Sequence, residues 1–213
     1  MSNELGRLTQ GNDMVNGTNT MFFIPYEDIP HDRKRDITYA RIVVDYRPQK
    51  REKERTRITV GGNLIHYPEN VSTKTAEVTT AKILINSTIS TPKAKFCVFD
   101  IGNFYLSTPM QQYEYMFMHL KDIPEDTITK YNLHNIVQND KIYVEIRKGM
   151  YGLPQAGILT NKLLQKNLAN FGYYPCKHTP GLWKQIRLHK NNLNKMCNRL
   201  YNPPCELTDT IRD

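Results

Sequence analysis

The sequence predicts an α+β fold. Three observations carry this. Two β-branched, aromatic-rich runs, "ITYARIVVDYRP" (37–48) and "TRITVGG" (56–62), flank a charged tip. A third run, "KIYVEIRKG" (141–149), alternates with the period of a strand. Between and after these lie two stretches of helical period, 72–90 and 154–171.

In chain order, residues 1–20 are polar and rich in glycine and asparagine, and read as a flexible lead. "MFFIP" (21–25) is a short apolar anchor, followed by a charged connection, "IPHDRKRD". The first strand is expected over 37–47, stopped by Pro48, and the second over 56–60, ending in the Gly61–Gly62 pair. With "QKREKER" between them, they form a hairpin with a positive tip, or an ordinary charged turn. The next helix is expected over 73–89, capped by Ser72 or Thr73 and closed by Pro92, with Val78, Ala81, Leu84 and Ile85 on one face. "AKFCVFD" then gives a buried strand over 95–100. An aromatic, Met-rich segment, "YEYMFMHL", and a loop with a short helix, "DIPEDTITKYNLHNI", lead to the 141–149 strand. Pro154 suits a first helical turn, Leu159 and Leu163 share a face, and Gly172 ends a helix expected over 156–171. Residues 184–200 carry Lys184, Arg187, Lys190, Lys195 and Arg199 without an acid, and the end of the chain, 185–213, reads as a disordered tail.

Composition narrows the function. The chain of 213 residues has 29 Lys and Arg against 21 Asp and Glu, a formal charge of +8. That surplus favours an anionic partner such as nucleic acid. No apolar run reaches the ~18 residues of a membrane span, and the start lacks the basic and apolar regions of a signal peptide. The four cysteines form no C-x-x-C pair, which argues against a zinc site or a disulfide framework. Asn-x-Ser/Thr matches at Asn16, Asn70 and Asn86 are then chance matches, and an intracellular, reduced chain is expected. Asp100, ending an apolar strand, has two readings: a turn former that accepts backbone N–H bonds, or a metal-binding carboxylate at the rim of a sheet.

The blocks "RIVVDYRPQK", "TVGGNLI", "FDIGNFYLSTPM", "RKGMYGLPQAG" and "HTPGLWK", in that order, resemble a reverse transcriptase (RNA-directed DNA polymerase) of the long-terminal-repeat retrotransposon polyprotein type. The resemblance covers 3–184. It implies a right-hand polymerase: fingers mainly over 37–92 and 120–150, and a partial palm over 93–118 and 151–184. It implies that Asp100 is the first of three catalytic carboxylates, with the backbone carbonyl of Ile101 a further ligand of the two magnesium ions. Asn103 and Phe104 match positions whose backbone N–H groups meet the triphosphate. Tyr105 matches the steric gate that excludes a ribose 2′-OH. Arg41 matches an arginine on the incoming phosphates, and Gln155 a glutamine on the nucleotide sugar. RNA template, DNA primer and deoxynucleoside triphosphates are the implied partners, and no membrane.

The family's hairpin with two adjacent aspartates should follow the Gly172 block by about 25 residues in the family pattern. Here that region reads "NNLNKMCNRLYN", and the chain has no Asp-Asp pair. One carboxylate cannot clamp two magnesium ions, whose charges need clustered carboxylates. The expectation is therefore fingers and half-palm, inactive as this chain, with magnesium bound weakly or not at all. The alternatives are a non-catalytic basic nucleic-acid-binding module and a non-functional relic.

Overall fold

The computed structural model describes residues 1–49, 53–73, 77–92 and 101–185. It is a mixed α+β structure. The strand expected over 95–100, Asp100 with it, and the tail beyond Gln185 lie outside the described residues.

The chain divides into two compact units. The first comprises Met1–Val71 and Tyr105–Thr160, and is built on a five-stranded sheet of order β3-β7-β6-β4-β5. The strands are β3 (Met21–Ile24), β4 (Thr38–Tyr46), β5 (Glu54–Val60), β6 (Pro109–His119) and β7 (Lys141–Lys148). The "MFFI" anchor pairs antiparallel with β7, Met21 opposite Ile146. The Met-rich segment becomes the longest strand, β6, antiparallel to β7. Its apolar side chains Met116 and Met118 are buried with Ile142, Val144 and Ile146 of β7.

The expected hairpin is present. β4 and β5 pair antiparallel from Ala40↔Val60 to Tyr46↔Glu54. β4 joins β6 in parallel at Thr38↔Met116 and Tyr39↔Phe117. The base of the hairpin is core, with Ile58 and Val60 buried, whereas Val44 and Tyr46 near the tip are exposed. The hairpin thus leaves the sheet as a projecting arm. The turn "MYGLP" packs on its base: the Val60 amide donates to the Tyr151 carbonyl at 2.8 Å. Gly152 has φ of +96°, and a Cβ there would overlap the Val60 carbonyl, so only glycine fits.

The flexible lead is overturned. Ser2–Leu8 forms helix α1, and Gly11–Asn12 (β1) pairs with Val15–Asn16 (β2). Leu5 and Leu8 are 0% and 1% exposed, in the same core cluster as Met21, Ile58 and Ile146. Composition misled here. Met1, Leu5 and Leu8 are spaced i, i+4, i+7, and such a stripe needs few apolar residues once a sheet is there to receive it. The expected boundary between fingers and palm also differs from the compact units, because the 37–60 hairpin, β6 and β7 share one sheet.

The second unit comprises Ser72–Phe104 and Asn161–Asp213. It holds α2 (Val78–Ser90), most of α4 (Ala156–Ala169), and a small hairpin of β8 (Tyr173–Pro175) with β9 (Trp183–Gln185). β9 includes Gln185, the first residue expected in the tail. α2 ends where expected but starts at Val78, with Glu77 at its N-cap in place of Ser72 or Thr73, and none of its residues is buried: Val78, Ile83 and Ile89 are among its most exposed. In the first unit a short helix, α3 (Glu125–Lys130), fills the segment between β6 and β7.

Candidate functional site

Two side-chain clusters stand out, both in the first unit. The first lies where the "MYGLP" turn meets the hairpin. The Tyr105 ring meets the Tyr151 ring edge-on, centroids 5.3 Å apart. The Arg57 guanidinium lies 5.8 Å from the Tyr151 ring centroid, within cation–π range. Tyr105 is fixed through its backbone: its carbonyl accepts from the Thr108 amide at 3.0 Å, and Thr108 in turn accepts from Gly149 at 2.7 Å. Arg57 is half-buried and its Nε–H has no hydrogen-bond partner among the described residues. A guanidinium beside a tyrosine ring pairs a multidentate anion donor with a flat surface.

Arg41 is exposed on β4. It pairs across the hairpin with Thr59, and Val43 pairs with Arg57, so Arg41 and Arg57 share one face. Arg57 is the residue that sequence reasoning missed. Its signal was the alternation in "ERTRITV", where Ile58 and Val60 take the core face and leave Arg55 and Arg57 on the other.

The second cluster is centred on Glu114 of β6, which is 6% exposed. Its Oε2 accepts from Arg33 Nη2 at 2.6 Å and its Oε1 from Gln155 Nε2 at 2.9 Å. Arg33 is engaged on all three nitrogens, donating also to Asp36 at 3.2 Å and to the Tyr113 carbonyl at 3.0 Å. Burial raises the Glu114 carboxyl above the usual carboxylate range, opposed chiefly by the Arg33 charge and the Gln155 hydrogen bond. Gln155 is 3% exposed, and its Oε1 has no partner among the described residues. The cluster borders a cavity of about 460 Å³.

Within the first unit, Gln155 and Tyr105 belong to different clusters. Gln155 is turned onto Glu114, and the cavity it lines includes neither Arg41 nor Tyr105. Tyr105 belongs with Tyr151 and Arg57. Ile101, Asn103 and Phe104 fall in the second unit. Asn103 is exposed, in a turn, at a φ of +53° that asparagine tolerates. Asp100 lies outside the described residues. Among the described residues no group of three His, Cys, Asp or Glu side chains could hold a metal ion. The sequence has no Asp-Asp pair.

No family model, no curated protein and no solved structure matches the chain. Among the described residues, no helix is long and apolar enough to cross a membrane.

Proposed function

We propose that the chain is a fragment of a long-terminal-repeat retrotransposon reverse transcriptase, comprising fingers and part of the palm, that holds nucleotide and nucleic acid without catalysing addition by itself. The observation that carries this reading is the Arg57–Tyr151–Tyr105 array at the base of the basic hairpin. The Tyr105 ring is the one expected to gate the sugar. Arg57 supplies a cation beside the neighbouring Tyr151 ring, and a guanidinium is the side chain best suited to a triphosphate. Five sequence blocks in the family's order support the same reading.

In the intact family, template-directed addition of a deoxynucleotide is an in-line displacement at phosphorus, steadied by two magnesium ions on clustered carboxylates. This chain offers one matching carboxylate, Asp100, and no Asp-Asp pair. Lost metal stabilisation is worth several kcal/mol of barrier, and ~1.4 kcal/mol is tenfold in rate.

A second reading has its own support. The net charge is +8, and the hairpin bearing Arg41, Arg55 and Arg57 projects from the sheet. A non-catalytic grip on nucleic-acid backbones needs nothing more.

Primer extension on an RNA template with magnesium and deoxynucleotides, run beside fluorescence-anisotropy titration of a labelled deoxynucleoside triphosphate, separates the two. The fragment reading expects no extension, but triphosphate binding that weakens in R57A. Binding of nucleic acid with no binding of free triphosphate supports the second reading. Efficient extension refutes the proposed inactivity.

A further inference from the structure

One edge of β4 is open along most of its length. β4 meets β6 only at Thr38↔Met116 and Tyr39↔Phe117. From Ala40 to Tyr46 it has β5 on one side and, among the described residues, no strand on the other. The Gly61 amide donates to the Tyr39 carbonyl at 2.8 Å, and the Arg47 amide to the Lys53 carbonyl at 2.6 Å. Odd-numbered residues of β4 therefore turn their backbone groups to β5, while Ala40, Ile42, Val44 and Tyr46 turn theirs outward.

Proteins normally blunt such an edge with proline, lysine or a bulge. The segment "ARIVVDY" (40–46) has none of these, and its register with β5 is unbroken. It is apolar as well: Val44 and Tyr46 are 71% and 64% exposed, and Ile42 and Val43 are exposed beside them. A contiguous apolar edge of this kind is a template for another strand.

Two charges on the strand select a second copy of this chain as that partner. Arg41 and Asp45 are exposed on one face, and neither forms an ion pair among the described residues. A second β4 laid antiparallel with its two-fold at Val43 brings Arg41 opposite the partner's Asp45, and Asp45 opposite the partner's Arg41. The outward-turned residues then meet each other: Ile42 faces the partner's Val44, and Ala40 the partner's Tyr46. Arg41 and Asp45 fall in non-hydrogen-bonded pairs, where side chains come closest. A two-fold at Ile42 would set Arg41 against Val43 and lose the ion pairs; one at Val44 would set it against Arg47, like against like. Length points to the same register independently, because the open segment runs from Ala40 to Tyr46 and its midpoint is Val43. The fork where β4 leaves β6 also holds a cavity of about 250 Å³, with Ala40 and Ile42 on one wall and Phe117 and Met118 on the other. The partner's Tyr46 arrives opposite Ala40, a residue of that wall.

We infer that β4 is a self-association edge: two copies of this chain pair antiparallel through Ala40–Tyr46 about a two-fold at Val43, joining their hairpins into one continuous sheet. The contact is isologous, so it closes as a dimer. It does not depend on the polymerase reading.

Sedimentation velocity of the full chain should show a monomer–dimer equilibrium with Kd on the order of 10–100 μM, as for a contact at the small end of specific interfaces. R41D and D45R each set like charges opposite one another twice, and each should raise Kd at least about tenfold. Mixed together they should form a heterodimer, since R41D leaves only acids at these two positions and D45R only cations. V44P removes an outward N–H, a change an edge strand tolerates, and should abolish the dimer while the thermal melt is kept. V43C should cross-link to itself under mild oxidation, its Cα atoms being about 4.5 Å apart in such a pair, well above the background of the four native cysteines. Should V44P fail to fold, the mixing experiment decides. A monomer at about 500 μM, a dimer untouched by R41D and D45R, or the absence of a heterodimer on mixing would overturn the inference. So would a monomer whose β4 amides respond in NMR only to added nucleic acid or to an unrelated extended peptide.

Discussion

Removing Arg33 while keeping its stem, R33M, isolates the buried ion pair. Arg33 and Glu114 are 13% and 8% exposed at their side chains and meet at 2.6 Å. The variant strands Glu114 in a buried place with the Gln155 amide as its remaining partner among the described residues. Breaking a buried pair from one side costs about 3–5 kcal/mol, because the remaining charge is uncompensated. At ~2–4 °C per kcal/mol for a chain of this size, Tm should fall by roughly 6–20 °C.

The pH dependence follows from the direction of the Glu114 shift. Burial holds this carboxyl above its ordinary 4.5, and Arg33 is the largest opposing influence. A carboxyl raised on folding binds its proton more tightly in the folded chain. Its contribution to stability is full below pH 4.5 and is lost as the pH climbs through the folded-state value. Without Arg33 that value climbs further, since protonation removes the stranded charge. The deficit of R33M should thus be largest at neutral pH and shrink towards pH 4.5. The assay is a set of thermal melts followed by circular dichroism across that window, with R33M/E114Q beside the single variant. The double variant, with no charge left to strand, should regain more than half of the lost stability. A loss below about 1 kcal/mol, typical of an exposed pair, with no pH dependence, would refute the argument.

Three further outcomes are expected. L5A should destabilise the first unit by about 2–5 kcal/mol, as for a fully buried leucine, and denaturant melts would read it; a neutral result would return 1–20 to a dispensable lead. G152A should cost about 1–3 kcal/mol or more, since its Cβ meets the Val60 carbonyl at a positive φ; the same melts check it. If the hairpin grips nucleic-acid backbones, R41A/R57A should weaken binding uniformly across sequences and lower the salt slope by roughly one per lost phosphate contact, measured by anisotropy between low and moderate salt.

The residue pattern alone determined most of the local structure. The β4–β5 hairpin, β7 and α4 lie close to their expected spans, and α2 keeps its expected end though not its start, because strand and helix periods are properties of consecutive residues. Pro48 and Gly172 gave their ends for the same reason. The acidic deficit and the missing Asp-Asp pair were equally plain in the sequence. What lay beyond it depended on contacts between distant segments. Leu5 and Leu8 became core only because a sheet from elsewhere in the chain receives them. The Met-rich segment became a central strand because β7 and β4 flank it on both edges. Gln155 and Glu114 are 41 residues apart, so nothing local could show that the glutamine is held by a buried carboxylate. Arg57 was chosen over Arg41 in the same way. Both sit on one face of the hairpin, but the Tyr151 turn packs at the level of Arg57, and burial of its guanidinium is set by that tertiary contact.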